Sequence, residues 1–466
     1  MMEVKEKQFT AELEAALESV QTDQKDKLFS YTEKINQVNL YRFLEKAVQL
    51  AFPRTFWSSA NEDFQMAGAG HAFELSAEVS GSRYDQVEQD WNALLSDAII
   101  YNPYHTSGTG VVALGGFSFD PLKPRTALWR NFPSSHFSIP NYILTQIDGD
   151  YYFTINRFIS YEDSYASLLE ELQNNRQTLL DNRGQQNDTS VLRIQHKKEI
   201  APDQWKKTIK KATDVMKNTS IDKIVLAREV RLHFNQAANI SDILKHLVDT
   251  QSNSYVFGYE MGGDCFIGAT PERLVKVKDD EVLSTCLAGT ARRGTTVEED
   301  EQIASNLFED SKNRKEHNYV VQMIRSTMET YCSEVSVPDE PVVHQYKTLQ
   351  HLYTPVRAKL KKEHGIFSII SGLHPTPAVG GTPRQDALAF IRDKELLDRG
   401  WYGAPIGWMD SNNHGEFAVA LRSALIQKDE ASLFAGCGIV EDSIPESEYE
   451  ETKIKLMPML SVLGVD

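Results

Sequence analysis

The spacing of apolar positions changes several times along the chain. Over the first fifty residues it is close to 3.6, as in Val38, Tyr41, Leu44 and Val48, which predicts a helical segment over 1–50. From residue 55 to about 170 short β-prone runs (RTFWSSA, FQMAGAGHAFEL, GVVALGGFSFDP, YILTQIDGDYYFTINRF) are broken by turn residues, with one helix predicted over 84–95. The polar stretch NNRQTLLDNRGQQNDTS at 174–190 reads as an exposed connection. A helix over 203–217 follows, because Trp205, Ile209, Ala212 and Met216 form one stripe, and it leads into the strand KIVLAREVRLHF. Strands and helices continue over 200–460, including a long helix predicted over 300–331 and a last one over PESEYEETKIKLMPML. Hairpin-like strands and consecutive helices predict a layered α+β body rather than a regular βαβ array.

Composition narrows the class. Hydrophobic residues at 41% and charged residues at 25% of 466 are those of a folded globular protein. The apolar runs fall far short of the ~20 residues a bilayer span needs, so no membrane association is expected. The acidic, amphipathic N-terminus has no apolar h-region, so no secretory signal is read there. Cys265, Cys286, Cys332 and Cys437 form no CxxC pair, which suits reduced thiols and a cytoplasmic location. A net charge of −17 argues against a nucleic-acid partner, though it leaves room for a local cationic pocket. The glycine clusters AGAGHA and GTGVVA do not make a dinucleotide site, because the second precedes a strand-like run where a helix is required.

Several charged side chains fall where apolar ones are expected. In the 300–331 helix Ile303, Leu307, Val320, Met323, Ile324 and Met328 mark the buried side, and Glu316 lies four before Val320 and seven before Met323, on or beside that face. A carboxylate there needs a cation, either a neighbouring helix's base or a metal. In the last helix Glu448, Glu451 and Lys455 share a face, and carboxylates one turn apart on inward-facing elements are a way of holding Mg²⁺, while Glu446 and Glu450 read as solvated. Lys223, Arg422 and Lys455 lie at or inside apolar stretches, so each needs an anion, with substrate carboxylates and internal ion pairs equally suitable. The loops LAGTARRG and FAGCGIVED add small residues whose backbone could approach a carboxylate closely.

Taken together, these segments resemble the chorismate-utilising enzyme family. The matching motifs, in the family's order, are IDKIVLAR, FIGATPERL, LAGTARRG, KNRKEH, LQHLYT, SGLHPTPAVGGTP, YGAPIGW, FAVALRSA and AGCGIVEDSIPESEYEET. Within the family the chain is most similar to isochorismate synthases of the menaquinone-pathway type, whose N-terminal half also carries segments like FPRTFWSS and LGGFSFD. The resemblance implies a single large domain over 1–466, an α/β/β/α sandwich of the anthranilate synthase component I-like type. A helical N-terminal extension (1–50), a sheet-rich half (55–170) and a motif-bearing catalytic half (200–460) are its expected parts.

The resemblance also implies chorismate as substrate and Mg²⁺ as the only cofactor. It assigns Lys223 as the general base, activating water for attack at C2, and Glu272 of the A-T-P-E motif as the acid protonating the departing C4 hydroxyl. Such a lysine needs its pKa lowered from ~10.4, which burial and cationic neighbours favour. Glu316 and Glu451 match the family's metal ligands, with Glu448 close by. Gly289, Thr290, His351, Ala378, Arg422, Gly436 and Lys455 match substrate-binding positions. Alanine at 378, where ammonia-using relatives usually carry threonine, resembles the water-using members, and no amidotransferase subunit is expected. Salicylate synthases share the same acid, base, arginine and metal positions, a siderophore-pathway isochorismate synthase is the other alternative, and a catalytically silent diacid-binding homologue is the reading from a different class.

Overall fold

The computed structural model describes residues 2–60, 62–78, 83–182, 192–345 and 349–464. Two large, mostly antiparallel sheets are stacked at its centre. One has thirteen described strands and runs from Ile194–Glu199 and Lys223–Phe234 at one end, through Glu430–Ile439, Ser423–Gln427 and Asp264–Thr270, to Lys27–Ile35 and Ile99–Tyr101 at the other. The second has ten, with Leu349–Leu360, Glu281–Arg292, Arg273–Lys278, Gly415–Val419 and Pro405–Asp410 in succession near its middle.

Strands covered on both faces explain why the apolar pattern is so dense here. Phe417 and Val419 point to the helices while Ala418 between them points to the other sheet. The layer between the sheets is aromatic, built on Trp57, Phe64, Trp129, Phe266, Trp401 and Trp408. Outside one sheet Phe43, Leu244 and Leu460 pack from three helices, and outside the other Ile324, Met328 and Phe367 pack from two. Burial of each such side chain contributes ~2 kcal/mol. The result is the α/β/β/α layering, and it makes the chain an α+β protein. None of the described helices is long and apolar enough to cross a membrane.

Three local expectations are corrected. Residues 1–50 are not continuously helical: Met2–Asp23 and Leu40–Gln49 are helices, but Lys27–Ile35 between them is a strand, paired along its whole length with Asp150–Ile159. In Leu40–Gln49 the side chain of Asn39 accepts from the backbone of Tyr41 and Arg42, so the helix starts after Val38, and its buried face is Leu40, Phe43, Leu44 and Ala47 with Val48 exposed. The long helix of 300–331 is two, Val297–Glu309 and Ser311–Tyr331, because Asp310 turns extended and its carboxylate caps the second helix at the Asn313 N–H. The polar stretch 174–190 begins inside the helix Tyr165–Leu179, and its positions 183–190 lie outside the described residues. After GTGV the chain forms the strand Val112–Phe117, as a sheet turn requires.

Candidate active site

The two sheets exchange strands side by side at one point. Asp264–Thr270 belongs to the first sheet and Arg273–Lys278 to the second, so Pro271 and Glu272 form the crossing. Gly415–Val419 belongs to the second and Ser423–Gln427 to the first, so Arg422 lies in the neighbouring crossing. The crossings are tied by Val419 N–H donating to the Glu272 carbonyl at 3.0 Å and Ala269 N–H donating to the Arg422 carbonyl at 3.1 Å. Arg422 turns there with a φ of +46°, a left-handed conformation that a side-chain-bearing residue adopts only when its surroundings hold it. A cleft of about 160 Å³ opens at this place, lined among others by Glu272, Thr290, His351, Ala378, Arg422, Gly436 and Lys455.

Burial pushes the Glu272 carboxyl up to about 7, while Lys223, the Thr376 hydroxyl and Lys455 pull against that rise. The carboxyl therefore holds its proton far above the ordinary carboxylate range, a condition suited to an acid. Lys223 opens the strand Lys223–Phe234, and its side chain lies over Gly438 on the paired strand Glu430–Ile439. A Cβ at Gly438 would stand 2.6 Å from Lys223 Cε, so glycine is what leaves room for the lysine. The Lys223 ammonium donates to Glu316 Oε1 at 2.7 Å.

On the opposite wall the pairing of Glu281–Arg292 with Leu349–Leu360 slips by one residue at Gly289, where φ is +77°. This bulge sets Thr290 opposite His351, and Thr290 Oγ1 lies 2.9 Å from His351 Nδ1. Burial first, and then the charge of Arg422, pushes His351 down to about 4, so its imidazole is neutral at physiological pH. Lys455 Nζ donates to the Gly436 carbonyl at 3.1 Å and pairs with Glu451 at 2.7 Å.

The three metal candidates lie on two helices. Glu316 is 43% and Glu451 48% exposed, each turned to its lysine. The buried faces of these helices run instead through His317, Val320 and Ile324, and through Thr452, Leu456 and Met459, one step round from the carboxylates. Glu448 accepts from Ser443 Oγ at 2.7 Å, yet its other oxygen is buried without a hydrogen-bond partner. Among the described residues no three ligating groups are already drawn together into a metal cage. All three donors are hard carboxylate oxygens, and one buried oxygen is unsatisfied, so the donor set fits a small divalent cation.

Some residues around the site carry no sequence signal of their own. His317 follows Glu316, and its Nδ1–H donates to the Ala288 carbonyl at 3.0 Å while its Nε2 accepts from Thr354 Oγ1 at 2.7 Å. It thereby fastens the helix bearing Glu316 to the strand just before the Gly289 bulge. Glu395 and Arg399 form a buried ion pair, with Arg399 in the wall of the cleft. Both need the tertiary fold, since their partners lie on other elements.

Compared with known proteins, the chorismate binding enzyme family matches residues 14–464. The chain belongs to that family. Isochorismate synthase MenF of Bacillus subtilis is 42% identical over 94% of this chain and 93% of its own length. The salicylate biosynthesis isochorismate synthase of Pseudomonas aeruginosa is 35% identical over 88% of this chain and 85% of its own. Among solved structures, the menaquinone-specific isochorismate synthase MenF from Escherichia coli superposes with a TM-score of 0.79 at 24% identity, covering 97% of this chain and all of that one. Anthranilate synthase component I from Streptococcus pneumoniae gives 0.70 at 24% identity, covering 87% of this chain and 93% of its own. These likenesses show that the α/β/β/α sandwich is the fold of the family.

Proposed function

We propose that this chorismate-binding enzyme is an isochorismate synthase that supplies menaquinone synthesis. The observation that carries the reading is a Glu272 carboxyl raised to about 7 in a cleft lined by Arg422 and Lys455, with Lys223 near enough for its charge to act on that carboxyl. Lys223, acting as the neutral amine, takes a proton from water as its oxygen attacks C2 of chorismate, the ring double bonds shift, and the C4 hydroxyl leaves as water on receiving the Glu272 proton. Hydroxide leaves poorly and water attacks poorly, so an acid and a base on opposite sides of the ring are what the chemistry needs. The overall change adds one water and releases one, an isomerisation.

Arg422 and Lys455 suit the two carboxylates of the substrate, and the guanidinium offers a planar pair of donors. The Thr290 hydroxyl and neutral His351 add polar contacts without further charge. Ala378 leaves that wall of the cleft without a hydroxyl, in keeping with water rather than ammonia as nucleophile. Glu316, Glu451 and Glu448 would hold Mg²⁺, which when bound supplies positive charge for the ring carboxylate. The enzyme is read as cytoplasmic and as acting without an amidotransferase partner.

Incubation of the purified protein with chorismate and Mg²⁺, followed by chromatography, is expected to yield isochorismate. Salicylate and pyruvate as the main products, or anthranilate once ammonium is added, would refute the reading. Lys223→Ala is expected to abolish turnover while chorismate still binds. Unchanged turnover in that variant would remove Lys223 as the base.

A further inference from the structure

The strand that begins with Lys223 is paired without a break on one side, where residues 224–233 meet 439–430 of Glu430–Ile439. Its other side is paired only at its ends. Lys223 and Ile224 meet Thr382 and Gly381, and Val230–Phe234 meet the strand Ile194–Glu199. Between these, the outermost backbone groups find loop partners: Val225 N–H donates to the Gly380 carbonyl at 3.2 Å, and the Glu229 carbonyl accepts from Ile200 N–H at 3.1 Å.

Two of the groups between them are met by side chains instead. Ala227 N–H donates to Glu395 Oε2 at 2.7 Å, and Arg399 Nη2 donates to the Val225 carbonyl at 2.8 Å. Glu395 and Arg399 also bind each other through Nε–Oε1 at 2.7 Å and Nη2–Oε2 at 2.8 Å, with side chains only 2% and 3% exposed. The remaining arm of the guanidinium, Nη1, donates to the Val379 carbonyl at 2.8 Å, and the Phe119 ring lies 4.2 Å from its Cζ. Arg399, Val225, Ala227 and Val379 all line the cleft.

We propose that the buried Glu395–Arg399 pair is a positioning element for the reaction, standing in for a missing strand segment and locking the Lys223 strand to the Ala378–Val379 turn. A buried ion pair is weak evidence of stabilisation, since apolar replacements of similar size are often neutral. What this pair supplies is registry: one guanidinium bonds the backbone two residues beyond the base and the backbone one residue beyond Ala378. A strand continuing across 225–229 would satisfy the same two atoms without tying them to Val379. Arg399 forms part of the cleft wall with its guanidinium turned to Glu395 and to the backbone carbonyls of Val225 and Val379, and the pair acts through the placement of Lys223 and Ala378.

The inference rests on the role proposed above for Lys223, and its test separates the two. Arg399→Lys keeps the charge and loses the fork. It is expected to lower kcat by roughly 10- to 100-fold, the scale of a misplacement near 1 Å, with KM for chorismate within about threefold. Hydrogen exchange, followed by mass spectrometry on the peptide 221–230, is expected to quicken there and not across the rest of the sheet. Glu395→Gln leaves one acceptor oxygen, and no charge, to serve both the Ala227 N–H and the guanidinium with little change of shape, is expected to act in the same direction, and gives the reading should Arg399→Lys not fold. The double replacement R399M/E395M is expected to recover more unfolding temperature than kcat. Wild-type kcat in the folded lysine or glutamine variant, full recovery of kcat in the double variant, or exchange that quickens everywhere alike would overturn the proposal. Failure of the unaltered protein to convert chorismate would overturn the activity instead, and the exchange comparison would still decide on the clamp.

Discussion

Replacing Glu272 with glutamine tests the acid directly, because it removes the titration while leaving the side chain's shape. Burial raises this carboxyl from its ordinary 4.5 to about 7. At 1.36 kcal/mol per pH unit the difference corresponds to roughly 3 kcal/mol of preference for the protonated form in the folded state. The sign follows from linkage. Below 4.5 the group is protonated whether folded or unfolded and contributes no pH-dependent term. Between 4.5 and 7 the unfolded chain loses its proton first, so the folded state is progressively penalised, and above 7 the full penalty stands. Glu272→Gln never ionises and escapes it. The variant is therefore expected to match the wild type in stability near pH 4.5 and to exceed it by roughly 3 kcal/mol at pH 8. For a chain of 466 residues unfolding as one unit this is about 3 °C in Tm. Differential scanning calorimetry of both proteins at a series of pH values reads it, alongside isochorismate formation, which the variant is expected to lose. A Tm difference that does not change with pH, or a wild type that is the more stable at pH 8, would refute the reasoning.

Other expected outcomes follow from the same geometry. Gly438→Ala pushes a methyl against Lys223 Cε and is expected to lower kcat by roughly 10- to 100-fold, with the circular dichroism spectrum unchanged. Chelation of divalent cations is expected to abolish isochorismate formation and added Mg²⁺ to restore it, and Glu451→Gln to raise the Mg²⁺ concentration needed for half-maximal rate by roughly tenfold or more. Deleting residues 1–35 removes a strand paired along nine residues and bares the neighbouring edge, so the shortened chain is expected to be recovered as aggregate, as light scattering would show.

The layered architecture was legible because both-face burial leaves dense apolar runs such as KIVLAREV, and because helices on the outside keep a 3.6-residue stripe. The strand Lys27–Ile35 was not, since KLFSYTEKI carries a lysine, a glutamate and a second lysine that lie in partners' reach only after folding, and Lys34 pairs with Asp150 across the sheet. The break at Asp310 was hidden by an apolar rhythm that continues across it, although Asp310–Ser311 has the chemistry of a cap. Charged residues in apolar stretches pointed to Lys223, Glu316, Arg422 and Lys455, which the fold brings to one cleft or its margin. The same rule could not say which anion meets each cation, and the two lysines were found on Glu316 and Glu451. Glu395 and Arg399 lay beyond such reasoning. Their stretch, KELLDRG, reads as an ordinary charged segment, and only strand geometry shows that they complete a ladder.

The paired sheet crossings have a consequence for motion. Glu272 and Arg422 are carried on backbone that is covalently continuous with both sheets and bonded across at 3.0 and 3.1 Å, so the sheets cannot part at this point without breaking several ladders at once. The helices Ser311–Tyr331 and Pro445–Val462 are joined to that base by side-chain packing and ion pairs, which are released at far lower free energy than a sheet. Glu272 and Arg422 are therefore held in place by the ladders of both sheets, whereas the positions of Glu316 and Glu451 depend on what fastens their helices, His317 on the first of them.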